Sequence, residues 1–324
     1  MVWRDGAPLD RQVDGAAVDE LVRDSGLLVW LDICGPDDAA IQQIGTALSL
    51  DPHTLEDAME PYERPKATRF DGYSFAAIYG AALGEADAAN SRVELSRVSA
   101  YSLPSCLVTV RPDGDFDMAP VVERWKSDPK LAAFGPDGLL QGLLDVAIDQ
   151  QFDVLQGLDD DADDLTDAVF ADRPDLKSLQ RRTFTVRREL VDLRRVIPPM
   201  RDVVSTLVRA GAVERNWPTE LLTYYEDLTD HTLRATEWLD NLRDLVSSIF
   251  ETNLALNDAR MNDAMKRLAG WAAIIAVPTL VTGFFGMNVP YFGFSQTSGL
   301  ILSAVLIVVP VVFLFVLFRR KAWI

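Results

Sequence analysis

The sequence predicts an α+β domain followed by long, coiled-coil-like helices and two C-terminal transmembrane helices. Three observations carry that reading: two uncharged apolar runs near the end, a long stretch without Gly or Pro just before them, and strand-like runs separated by turn signals in residues 1–135. Residues 268–287, LAGWAAIIAVPTLVTGFFGM, and 299–318, GLILSAVLIVVPVVFLFVLF, each contain no charged side chain. Each matches the ~20 residues that a helix needs to cross a ~30 Å hydrocarbon core. Lys266 and Arg267 precede the first run, and Arg319, Arg320 and Lys321 follow the second. Cytoplasmic flanks are enriched in Lys and Arg, so both termini are expected in the cytoplasm of a plasma (inner) membrane, with 288–298 as the external loop. Tyr291, Phe292 and Phe294 then fall at the outer interface, and Trp271 and Trp323 towards the inner one.

The first region, 1–135, is expected to be a cytoplasmic α/β domain. LLVWLDI (27–33), YSFAAIYGA (73–81) and SAYSLPSCLVTV (99–110) have strand character, with Gly35-Pro36 and Asp113-Gly114 as turns. DDAAIQQIGTAL and HTLEDAME read as short helices. The second region, 136–267, reads as long helices: one over 139–171, and one over 175–210 kinked at Pro198-Pro199. The third helix begins at Thr219, and no Gly or Pro occurs up to Ala269. Its positions 221, 225, 228, 232, 235, 239, 242, 246, 249, 253 and 256 read Leu, Tyr, Leu, Thr, Ala, Leu, Leu, Val, Ile, Asn, Leu, mostly a coiled-coil seam. The simplest arrangement is one helix running straight into span 268–287, with loop 288–298, span 299–318 and a basic tail 319–324 after it.

Charge and chemistry narrow the function. The chain has 49 acidic and 31 basic side chains, and all the acids lie at or before Asp263. Such a field repels a nucleic-acid backbone and attracts cations, although it also serves plain solubility. Two Cys and two His do not make a disulfide framework or a zinc spacing, so Cys34 and Cys106 read as reduced thiols. The opening MVWRDGAPLD has no apolar core of a signal peptide, and none is expected. There is no Gly-rich phosphate loop, nucleophile elbow or catalytic metal spacing, so an enzyme is not expected. One helical face of the long helix reads Asn262, Met265, Leu268, Ala272, Ala276, Thr279 and Gly283, and reaches Met287 and Asn288. Small residues at this spacing serve either close helix packing or the lining of a narrow pore, and a pore made from two spans requires an oligomer.

Gly286-Met287-Asn288, placed at the outer end of the first of two C-terminal spans, resembles the GMN element of the CorA family of magnesium and cobalt channels. TLEDAMEPYERPKATRFDGYSF (54–75), YYEDLTDHT (224–232), NDAMKRLAGWAAIIAVPTLVTGFFGMN (262–288) and RRKAWI are similar to other stretches of that family. The resemblance implies a funnel-shaped homopentamer in the lipid bilayer that conducts Mg2+, with Co2+, Ni2+ or Zn2+ as other candidate cations. Asn288, with Gly286 and Met287, corresponds to the selectivity mouth. Asn262, Met265, Leu268, Ala272, Ala276, Thr279 and Gly283 correspond to pore-facing positions. Asp57 and Asp227 correspond to an acidic pair that binds a regulatory Mg2+ between neighbouring subunits, with Glu56 and Glu251 nearby and Asp159 and Asp160 as a second contribution. By residue type alone, either aspartate also reads as a solvated surface charge.

Two departures stand out: the loop VPYFGFSQTSG lacks the acid that relatives often place after GMN, and Ala276 stands where they often carry Met. A ZntB-like proton-coupled Zn2+ transporter shares the architecture. A non-conducting membrane-anchored scaffold or sensor is the alternative of another class.

Overall fold

The computed structural model describes residues 1–4, 6–9, 24, 26–60, 63–85, 91–171, 175–213, 215–287, 290, 293 and 296–324. Within them, seven strands form one sheet: β1 (Val2–Arg4), β2 (Ala7–Leu9), β3 (Leu28–Cys34), β4 (Lys66–Phe70), β5 (Tyr73–Leu83), β6 (Val93–Ser102) and β7 (Cys106–Arg111). Their order is β2-β1-β3-β7-β6-β5-β4, with β3 and β7 parallel and every other pair antiparallel. Side chains alternate across a strand, and here the two sets enter different cores. Phe75 and Ala77 of β5 pack with Val29, Tyr101 and Val108 against α1 (Asp38–Leu48) and α2 (Pro52–Met59). Ala76 and Ile78 pack with Trp30, Val98 and Leu107 on the opposite face.

That opposite face is covered by α3 (Ala119–Ser127), α4 (Pro129–Ala133), the first turns of α5 (Pro136–Phe170), α7 (Ile197–Val213) and the start of α8 (Thr219–Phe285). Residues 136–148 of α5 are buried on every side. Beyond them only Gln151, Val154, Leu155, Leu158, Ala162, Leu165 and Val169 are buried, the single stripe of an amphipathic helix. Between α5 and α7 lies α6 (Leu176–Arg194), whose N-cap Asp175 accepts from the Lys177 and Ser178 amides at 3.1 and 3.3 Å.

The described chain departs from the expected elements in two places. The run 99–110 is two strands, because Pro104 cannot donate to a ladder and the chain turns there, with Leu103 N–H bonding Cys106 O at 2.9 Å. The helix expected over 175–210 does not kink at Pro198-Pro199; it ends at Arg194 and α7 restarts at Ile197. The prolines thus occupy the first turn of α7, where their missing N–H groups cost nothing.

The seam of α8 is buried from Leu221 to Asn253, and Leu256 is half-buried. Leu221, Tyr225 and Leu228 join the core beneath the sheet, and Phe152 of α5 meets the rings of His231 and Trp238. The first heptad-like positions, Leu221, Tyr225 and Leu228, are therefore occupied by the chain's own domain. The chain divides into two compact units, Met1–Ile249 and Phe250–Ile324. In the second, α8 continues unbroken past Pro278 to Phe285, and α9 spans Thr297–Arg320. Thr279 and Thr282 hydroxyls bond back to the Ile275 and Pro278 carbonyls at 2.9 and 2.8 Å. Both helices are long and apolar enough to cross a membrane.

Candidate functional site

In the second unit, Asn262, Met265, Leu268, Ala272, Ala276, Thr279, Gly283, Gly286 and Met287 are all exposed. Asn288 lies outside the described residues. At 100° per residue this stripe is opposite the face that holds Gly270 and Ile274, the buried residues of the apolar part of α8. Gly270 packs against α9 and the residues after it, since a Cβ there would lie 3.6 Å from Phe318 and 3.2 Å from Ile324. One face of α8 therefore meets α9, and the small-residue face is left open by the described residues of its own chain. Its wider part, Met265 and Leu268, is 60% and 66% exposed. Further along, Ala272, Ala276 and Thr279 share an open concavity of about 680 Å³ with Ile275, Val277 and Leu280.

The acidic candidates lie in the first unit apart from Glu251, which is exposed on α8. Asp57 sits in the last turn of α2 and pairs with Lys66 Nζ at 2.8 Å, while Lys66 also reaches Glu63 at 3.2 Å. Burial pulls the Lys66 ammonium pKa down, but hydrogen bonds to Asp57 and Glu63 more than offset it and the net shift is upward. Glu56, one residue earlier, is exposed. The end of α2 is held by buried Arg97 of β6, which donates to the carbonyls of Ala58 at 2.7 Å, Asp57 at 3.4 Å, and Glu60. A cation at a helix C-terminus satisfies its orphan carbonyls. That role was invisible in the sequence, since Arg97 is 40 residues from Asp57.

Asp227 of α8 is 65% exposed at its side chain and lies 3.8 Å from His231 Nε2. The structure does not bring it to Asp57: α2 covers one face of the sheet and α8 the other. Nor do the described residues contain a group of three or more His, Cys, Asp or Glu able to hold a metal ion. Asp159 is half-buried, and Asp160 is exposed and accepts from Gln156 Nε2 at 3.2 Å.

The residues around Asp227 are richer than the sequence suggested. Asp145 and Asp149 of α5 have raised carboxyl pKa values, first through burial, and the Asp227 charge adds to the rise. Arg124 opposes it, bound to Asp145 at 2.8 Å, as does His231. The spacing Asp145, Asp149, Asp153 on one helix face was the available signal.

Residues 25–320 match the family model described as CorA-like Mg2+ transporter protein. The chain belongs to the CorA-like Mg2+ transporter family. Members of that family are divalent cation transporters rather than enzymes. Among CorA relatives, the cobalt/magnesium transport protein CorA of Thermotoga maritima is 30% identical over 312 residues, covering 93% of this chain and 85% of its own. The putative metal ion transporter YfjQ of Bacillus subtilis is 26% identical, covering 86% of each. The complete CorA magnesium transporter of Methanocaldococcus jannaschii shares the fold at a TM-score of 0.73, with 23% identity over 92% of this chain and 91% of that one. Full-length CmaX has a TM-score of 0.68 at 21% identity, covering 91% and 88%.

Proposed function

We propose that this CorA-family chain is a channel for Mg2+, with Co2+ and Ni2+ as further ions, working as a homopentamer in the plasma (inner) membrane. The observation that carries the reading is the small, uncharged stripe of α8, exposed along its length and opposite the face packed on α9. A single copy leaves this stripe facing lipid, whereas a ring of copies turns it to a shared axis. Asn288 then supplies amide oxygens at the outer mouth, with Gly286 and Met287 beside it. Mg2+ gives up its water reluctantly, so neutral oxygens that bond its hydration shell select without trapping. The acid-free loop leaves recruitment to these amides and to backbone carbonyls. Met265 and Leu268 close the path by dewetting when the ring is narrow. With both termini cytoplasmic, a potential of ~100 mV drives a divalent ion inward by ~4.6 kcal/mol.

Regulation follows from the distance between the faces that carry Asp57 and Asp227. Since one chain separates them, a cation that binds both joins neighbouring subunits. Glu56 and Glu251 flank this contact, and Asp159 and Asp160 contribute to a second one. Binding requires Lys66 to release Asp57. Near Asp227, a divalent ion also relieves the repulsion felt by Asp145 and Asp149. When cytoplasmic Mg2+ is scarce, the uncompensated carboxylates repel and the ring loosens.

The decisive measurement is flux of Mg2+, Co2+, Ni2+ and Zn2+ into liposomes holding the purified protein, with and without a pH gradient. Voltage-driven Mg2+ uptake supports the channel, and proton-dependent Zn2+ uptake overturns it in favour of a ZntB-like transporter. For the regulatory pair, Asp57→Lys with Asp227→Lys is expected to leave the channel open at millimolar internal Mg2+, and normal closure would sink that part.

A further inference from the structure

We propose that the residues ending α9 and those entering the membrane part of α8 form a binding site for the headgroup of an anionic phospholipid. Helix α9 ends in a complete Schellman turn. Trp323 N–H bonds Phe318 O at 2.9 Å, Ala322 N–H bonds Arg319 O at 3.3 Å, and Ala322 takes the left-handed conformation at φ 54°. The hydrophobic contact that accompanies such turns is present: the Trp323 and Phe318 rings stack at 5.4 Å and 2°. Alanine enters this backbone region at a cost, so the turn is held by its packing.

The turn sets Ile324 against Gly270, where an added Cβ would approach Ile324 to 3.2 Å. Gly270 lies one turn beyond Lys266 and Arg267, so the contact brings Arg319, Arg320 and Lys321 to the level of those two cations. Lys266 is partly neutralised by Asp263 at 3.2 Å. Arg267, Arg319, Arg320 and Lys321 are exposed, and among the described residues no ion pair engages them. No acid follows Asp263 in the sequence. Four cations are thus gathered at the end of two membrane helices, and no described side chain pairs with them.

The chemistry of the surroundings chooses the ligand. Guanidinium forks match phosphate oxygens in a bidentate way. Trp271, Phe313 and Val316 are exposed beside the basic level, and they suit acyl chains and the glycerol region. A soluble acidic partner would use the charges and leave this apolar border unfilled. Basic clusters next to membrane helices bind anionic lipids on these grounds.

The inference rests on the membrane placement of α8 and α9 and is independent of ion conduction. The test is tryptophan quenching in the full-length protein, reconstituted in vesicles of neutral phosphatidylcholine with either brominated phosphatidylglycerol or brominated phosphatidylcholine. Quenching by the anionic lipid is expected to be stronger, corresponding to a several-fold preference and at most about fivefold per charge. Arg319→Gln with Arg320→Gln and Lys321→Gln, which leaves only Arg267 of the four, should remove most of the preference. Arg319→Lys with Arg320→Lys, which keeps the charge and loses the bidentate fork, should lower it in part. A single Arg320→Gln, which disturbs the turn least, should give a partial loss. Equal quenching by both lipids, or an unchanged preference in the triple variant, would overturn the site. Excess inorganic phosphate should leave the preference intact; its disappearance would assign the cations to a soluble anion instead of lipid.

Discussion

The unit Met1–Ile249 closes two apolar cores around its sheet and pairs several of its buried charges internally, whereas Phe250–Ile324 leaves most of its apolar surface open. In the first unit, buried Asp137 accepts from Arg215, from Trp217 Nε1 at 2.6 Å and from Ser102 Oγ at 2.5 Å. Buried Glu189 is likewise held by Arg92, which also reaches Asp161. In the second unit, Met265, Leu268, Ile275, Leu280, Val308 and Phe313 are each at least 57% exposed. The first unit is completed by its own side chains, and the second leaves its apolar surface for an environment outside the chain. Burial that a chain cannot achieve alone marks where its environment takes part in the fold and in the function.

Several substitutions break or sharpen this contrast. The largest effect is expected from Asn288→Ala, which should reduce divalent flux to that of empty liposomes while the thermal unfolding of the α/β unit stays unchanged. A scaffold without conduction would show no loss. Asp137→Ala should do the reverse. Removing it strands the Arg215 guanidinium and the Trp217 N–H in a buried site, which costs about 3–5 kcal/mol and lowers the Tm of this unit by roughly 6–20 °C. Calorimetry on the detergent-solubilised protein reads this out.

A smaller effect concerns alkaline pH. Burial pushes the Cys106 thiol from an ordinary value of 9.0 up to about 12, and complete burial raises the Tyr225 hydroxyl well above its usual 10.0. Both groups hold their protons more tightly folded than unfolded. Their contribution is therefore intact below pH 9 and is lost as the pH rises through the folded values. The expectation is a fall in Tm above pH 9 that Cys106→Val makes shallower. The smallest effect is chemical: exposed Cys34 should react with a thiol reagent in the folded protein, and buried Cys106 should react only on unfolding.

Much of the fold was legible because its signals are local. Two charge-free runs of membrane length, the seam from Leu221 and the strand runs of β3 and β5 depend on periodicity and composition. The turn at Pro104 and the break before Pro198 were missed in form, since proline marks an interruption without saying whether the chain bends or restarts. The sites were legible unevenly. The exposed stripe of α8 follows from helical spacing, and the proposal that it lines a pore rests on the resemblance. The Asp57–Lys66 pair, the Arg97 clamp on α2 and the shifted Asp145 and Asp149 carboxyls were not readable. Each depends on side chains that only folding brings near.

The sequence by itself determined the membrane spans, the segregation of acid from apolar chain, and the face of α8 that carries small residues. These are properties of a residue and its neighbours along the helix. Tertiary structure alone decided what the seam of α8 packs against, which face of α8 meets α9, and that Asp57 and Asp227 stand on opposite sides of the sheet. It also gathered the cations at the end of α9 beside Lys266 and Arg267. Packing partners and the distances between charges are set by how elements stack in space, and no spacing along the chain encodes that directly.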